Sequence, residues 1–245
     1  MPRAVQDRFP ETGTHLERYS AVLTATEVNS SFRQVHRAAT YARWARSVPA
    51  SFRFCVKVPK AITHHAKLAR TEALQEPFLA SVRELGDKLG CMLVQLPPKL
   101  ALELPVAHAF FRSLRQRHRG EMVVEPRHGS WFTADADAML RDLHVGRVAA
   151  DPAPHAGAER PGGWRGIAYY RLHGSPRMYY SAYDDARLAE LGVALARVGE
   201  TAGEVWCIFD NTTLGAAFDD ALRLAARLGV TVPAMDDASG RATSC

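Results

Sequence analysis

Glu125, Arg127 and His128 follow a short apolar run, Met122–Val124, and Trp131 stands three residues further on. A carboxylate two positions from a guanidinium, with an imidazole beside them, can carry a proton or bind an anion. In an extended strand, residues i and i+2 share a face. Glu125 and Arg127 therefore point together, as do Arg171 and His173, and Glu27 and Asn29. Glu125 and His173 are the candidate acid/base groups, since an imidazole titrates near pH ~6.5. Arg127 and Arg171 suit an anionic substrate. Lys57, Gln95, Asp151, Asp210 and Asn211 close other apolar runs and extend the set of candidate substrate contacts, together with His128, Trp131 and Tyr180. Tyr179, Tyr180 and Tyr183, near Arg177, form an aromatic stretch suited to a lid or a stacking platform. The carboxylates and His173 offer metal-type donors, but no His-Glu-x-x-His spacing occurs and Lys57, Arg127 and Arg171 would repel a cation, so no metal is assigned. No cofactor is assigned either. There is no Gly-rich phosphate loop and no Gly-x-Ser-x-Gly elbow. His64 and His65 are adjacent and would diverge in regular structure, as a surface pair does.

These residues must be carried on a scaffold, and the apolar pattern supplies one. Strands are predicted at Leu23–Val28, Phe52–Val58, Cys91–Leu96, Met122–Glu125, Val145–Asp151, Ile167–Leu172 and Glu204–Phe209. Each ends in a polar group. Helices are predicted between them: His15–Ala21, Arg37–Val48, Thr71–Leu89 with Gly90 as its C′ residue, 105–118, Ala134–Leu143, a helix capped by Asp184 and running to Val198, and Leu214–Leu228. Alternation of this kind predicts an α/β fold with a parallel sheet and helices outside. Polar groups at every strand end favour a TIM-like (β/α) barrel, whose mouth would gather them, over an open sheet with one switch point. Seven strands are one short of that barrel, and the chain opens with a helix. The first strand is thus missing or degenerate: residues 2–9 replace it poorly, or a further strand lies upstream. A single domain is predicted over residues 1–235, with a polar tail at 236–245.

Composition narrows the class. The 245 residues are 47% hydrophobic and 23% charged, enough for a large core. The net charge is +5, spread along the chain without a run of five like charges, so nucleic acid is a possible but disfavoured partner. No apolar run approaches the roughly 18 residues of a membrane span. The N-terminus lacks the apolar core of a signal peptide. Cys55, Cys91 and Cys207 lie inside apolar runs and none of the four cysteines forms a Cys-x-x-Cys, which predicts buried thiols and a cytoplasmic protein.

Six stretches carry a family resemblance: Thr26–Phe32, Phe52–Lys57, Val94–Pro98, Glu125–Phe132, Tyr170–Gly174 and Phe209–Thr212. In order and spacing they resemble the domain of unknown function 72 family, also called YecE-like, over about residues 10–230. The resemblance implies a TIM-like barrel of bacterial or archaeal origin with these motifs at its strand ends, and it supplies no reaction. It also implies an initial strand of the Ile-Gly-Thr-Ser-Gly-Trp type, absent here, and an Asn in many relatives where Asp210 stands. The favoured expectation is an enzyme acting on a small phosphorylated, carboxylated or sugar-type metabolite. The alternatives are a non-catalytic ligand-binding barrel and a nucleic-acid-binding or processing protein. Oligomeric state is left open.

Overall fold

The structure, a computed structural model, describes residues 2–230; the predicted polar tail lies outside them. Every predicted strand forms. β1 is Ala25–Val28, β2 Arg53–Lys57, β3 Leu89–Gln95 and β4 Glu121–Glu125. The expected Val145–Asp151 strand is split into β5, Gly146–Arg147, and β6, Ala149–Asp151. β7, Gly162–Gly163, is a short antiparallel addition to β5. β8, Ile167–Leu172, and β9, Glu204–Phe209, complete the set. Pairing is otherwise parallel: β1–β2–β3–β4–β5 in one sheet and β6–β8–β9 in the other, with β5 and β6 as successive parts of one chain segment. Parallel pairs need helical crossovers. These are α2 (Ala38–Arg46), α3 (Glu72–Val82), α4 (Leu104–Arg117), α5 (Ala134–Asp142) and α6 (Asp185–Gly199), preceded by α1 (His15–Ser20) and followed by α7 (Ala216–Arg227).

The period of two along the strands sorts their side chains. Phe54, Val56, Met92, Val94, Met122 and Val124 face the helices in one large cluster. Their alternates Cys55, Cys91, Leu93 and Val123 turn the other way and meet Val148, Ile167, Tyr169 and Trp206 in a second, inner cluster, with Ala25 and Ile208 packed on it. Residues from β1 through β9 thus share one interior, so the strands curve round a common axis.

The sheet does not close, and here the TIM-like barrel expectation is corrected. Among the described residues β1 bonds only to β2 and β9 only to β8. Between these two edges lies a cavity of about 700 Å³, lined by Ala25, Trp206 and Ile208 on one side and by Phe218, Leu224 and Leu228 on the other. Residues 2–9 do not fill it. Arg3–Arg8 is a 3-10 helix, and Val5 and Phe9, at helical spacing, pack with Leu222 and Phe218 of α7.

The predicted helix Thr71–Leu89 is also corrected. α3 gives way to a 3-10 segment, Arg83–Lys88, in which Gly86 has φ 55° and ψ −135°. Gly90 belongs to β3 and is not a cap. A Cβ there would lie 2.5 Å from the Trp206 ring, so this glycine is required by close packing of the inner cluster.

Candidate functional site

The inner parity continues past the apolar layer, and its next residues are polar. Ala25 leads to Glu27, Cys55 to Lys57, Leu93 to Gln95, Val123 to Glu125 and then Arg127, Tyr169 to Arg171 and His173, and Ile208 to Asp210. In parallel strands these positions lie at one end of the interior. Register makes two of them direct neighbours: Gln95 pairs with Glu125 across β3 and β4, and Gln95 Nε2 donates to Glu125 Oε2 at 3.0 Å.

Arg171 is the centre. It is fully buried and donates to Glu27 Oε1 at 2.7 Å, Glu125 Oε2 at 2.5 Å and Asp210 Oδ2 at 2.9 Å. Its Nε also reaches Glu27 Oε2 at 3.0 Å, where Tyr169 Oη donates too. Burial opposes the charge of Arg171, but Glu125, Glu27 and Asp210 outweigh it, and its pKa is raised well above the ordinary value. Burial likewise opposes ionisation of Glu125. Arg171, His173 and Arg127 outweigh it, and the carboxyl is held well below its usual range.

His173 lies between two of these carboxylates. Nε2 is 3.3 Å from Glu125 Oε1 and Nδ1 is 3.2 Å from Asp210 Oδ2. The second contact falls short of full hydrogen-bond alignment, leaving Nδ1 without an aligned partner. Burial disfavours the imidazolium, yet Asp210 and Glu125 raise the His173 pKa. Burial also opposes ionisation of Asp210, and His173 and Arg171 keep its pKa lowered.

Arg127 forms the outer rim. Its Nη2 is 3.2 Å from Glu125 Oε1, and its side chain is 24% exposed. Tyr179, not Tyr180, turns toward this rim. Its ring meets His173 edge-on at 5.6 Å between centroids, and its hydroxyl interacts with Arg127. Tyr179 has φ 69°, a strained value for a bulky residue. Tyr180 lies under Arg177, 3.9 Å from guanidinium to ring centre. Tyr183 anchors the loop from below, accepting from Gly174 N at 2.9 Å.

Other predicted site residues are used differently. Asp151 and Asn211 have the outer parity. Asp151 pairs with Arg187 of α6 at 3.0 Å, and Asn211 donates to Asp220 of α7 at 2.7 Å. Asn29 lies beyond the end of β1, exposed, and reaches only the edge of the cavity. His128 accepts from Ser130 N at 3.2 Å, folding its own loop. Trp131 is in the core, its Nε1 donating to Leu100 O at 3.0 Å.

Two contributors escaped the sequence reading. His64 diverges from the exposed His65, but it is partly buried beside the site, edge-on to Phe32 at 4.9 Å. Burial, with Lys57 and Arg127 nearby, lowers its pKa. Tyr179 shares its stretch of sequence with Tyr180 and Tyr183. The Lys57 strand end and the loop after it are the signal that points to His64; nothing local distinguishes Tyr179 from Tyr180.

Comparison with known proteins places the chain in one family. The chain matches the family described as "Protein of unknown function DUF72" over residues 4–243. It is 32% identical over 149 residues to the UPF0759 protein YecE of Escherichia coli K12, covering 58% of this chain and 53% of that one. The chain thus spans about half the length of the curated relatives it matches. A crystal structure of a DUF72 family protein from Enterococcus faecalis superposes with a TM-score of 0.80 at 20% identity, over 94% of both chains. A DUF72 family protein from Thermotoga maritima gives 0.74 at 23% identity, over 90% of this chain and 92% of that one. At these identities the likeness is one of fold.

Proposed function

Because the chain belongs to the DUF72 family, whose description carries no reaction, we propose its function from its own site: acid/base chemistry on a small anionic metabolite, with His173 as the proton carrier and Arg127 as the anion contact. The observation that carries this reading is His173 held between Glu125 and Asp210. A buried imidazole with a raised pKa keeps its proton to higher pH than a free one and can give it to a substrate. Glu125 is already engaged by Arg171, Gln95, Arg127 and His173. It is better suited to positioning His173 than to losing or gaining a proton itself. The strained Tyr179 loop covers the imidazole and would lift to admit substrate. The buried free thiols Cys55 and Cys91 fit a reducing compartment such as the cytoplasm.

A screen of phosphorylated and carboxylated metabolites by thermal shift tests the anion contact. Ligands of one class are expected to raise Tm for the wild type and to lose roughly tenfold or more in affinity in Arg127→Ala, as loss of a charge-assisted contact implies. Equal shifts in the variant, or no ligand of either class, would overturn it.

Once a turnover assay exists, the pH profile follows from the same geometry. A general acid works while protonated, so kcat/KM is expected to fall as pH rises through the raised pKa of His173. Asp210→Asn removes a contact that raises it, and the falling limb should move to lower pH. The stability contribution has the same sign. It is complete below the unfolded value of about 6.5 and is lost as pH rises through the folded one. An unmoved limb in Asp210→Asn would separate His173 from the rate.

One observation favours a non-catalytic binding site as the second reading: the buried carboxylates are already matched by cations of the same chain. Retention of ligand affinity with no turnover of any bound compound would support it.

A further inference from the structure

Lys57 is the cation that this matching leaves over. It ends β2 on the inner face and is 7% exposed. Among the described residues its Nζ makes no hydrogen bond and no ion pair; it sits 4.4 Å from the centre of the Phe32 ring. The chain has five lysines. Lys60, Lys67 and Lys99 are exposed, and Lys88 donates to Ala45 O and Val48 O. Lys57 alone combines burial, an unbonded amine and a place beside Glu27, Glu125 and Asp210.

We propose that Lys57 is a nucleophile that forms an imine with a small carbonyl compound bearing an anionic group. The step rests on the mouth being the active site proposed above, and it names the substrate class. The surroundings favour a neutral amine. Burial lowers the Lys57 pKa first, and Arg171 lowers it further; Glu27, Glu125 and Asp210 offset this in part. His64 faces the same amine from the following loop. Desolvation near another cation is the usual way to activate a lysine.

The chemistry balances without an oxidant or reductant. The lone pair of neutral Nζ attacks the carbonyl carbon, and the C=O π pair moves to oxygen. Oxygen takes one proton from His173 and Nζ returns one to it, leaving a carbinolamine. His173 gives that proton to the hydroxyl, which leaves as water while the nitrogen lone pair forms C=N, and the iminium N–H returns a proton to His173. One amine and one carbonyl yield one imine and one water. Arg127, on the rim, would hold the anionic group.

Reductive trapping tests this. The full chain is incubated with glyoxylate, an aldehyde bearing a carboxylate, and sodium borohydride, then mapped by peptide mass spectrometry. Glycolaldehyde serves as the neutral control. Glyoxylate is expected to modify Lys57 roughly tenfold more than any other lysine, because its neutral fraction is larger. The preference should shrink with glycolaldehyde and in Arg127→Gln. Lys57→Arg, checked for folding by thermal melting, should lose the adduct at this position. Uniform labelling of the exposed lysines would overturn the proposal. If glyoxylate raises Tm in an Arg127-dependent way and Lys57 stays unmodified, the imine fails and the anion site stands. If it does neither, both readings fail for this substrate class.

Discussion

Arg171→Met is expected to lower the unfolding free energy by about 3–5 kcal/mol, the cost of stranding buried charge after one partner is removed. Few single substitutions in this chain should cost more. Against the roughly 5–15 kcal/mol of an ordinary domain, that loss approaches unfolding. Glu27 suffers most. Its carboxylate, as buried as the guanidinium it faces, keeps only the Tyr169 hydroxyl. Glu125 retains Arg127, Gln95 and His173. The pH dependence identifies the cause. In the wild type, the lowered pKa of Glu125 contributes stability above its unfolded value of about 4.3, and this is lost as pH falls through the folded value. Without Arg171 the stranded carboxylates prefer to be neutral, so acid relieves them. The gap between variant and wild type in urea unfolding should therefore be largest near neutrality and narrow toward pH ~4.5. A second change, Glu27→Gln, should recover part of the loss. A cost below about 1 kcal/mol at neutral pH would show that the hub is no more than a surface-type pair.

Trp131→Ala should cost about 3–5 kcal/mol, the range for emptying an aromatic site in a packed core. The ring lies in the large outer cluster, between the helices and the strands. Trp131→Phe keeps most of the volume and removes the donor to Leu100 O, so about 1 kcal/mol is expected. Ligand affinity in the phenylalanine variant should match the wild type. A selective loss of affinity with intact stability would return Trp131 to the binding surface, where its place beside Glu125, Arg127 and His128 in the sequence had put it.

The contrast between Trp131 and Arg171 indicates what was legible. Strand–helix alternation was readable because each apolar run repeats the same pattern. The inner site was also readable, since the period of two assigns Lys57, Gln95, Glu125, Arg127, Arg171, His173 and Asp210 to one face. Carried one step further, the same parity would have sent Asp151 and Asn211 outward to α6 and α7. The role of Arg171 was not readable. Its partners lie 144, 46 and 39 residues away, and nothing local separates a guanidinium awaiting a substrate from one already surrounded by carboxylates. The break at Gly86 was hidden because the 3-10 segment still buries Leu85. The open seam was legible in part, because seven strands are one short of a closed barrel and leave two edges unpaired. Polar strand ends require that the strands curve together, and they do, but convergence at one end does not require that the two outer edges bond.

Those unbonded edges define a seam along the molecule. Its first breathing motion would part β1 from β9, a motion in which no backbone hydrogen bond is broken. Arg171 and Glu27 span the interior across this line, so the latch on the seam is ionic and buried. Added salt reaches such a pair poorly, whereas replacing the Glu27 carboxylate by an amide would release it. Amide exchange on β1 and β9 should therefore accelerate in Glu27→Gln, while β3 and β4, paired on both sides, stay closed.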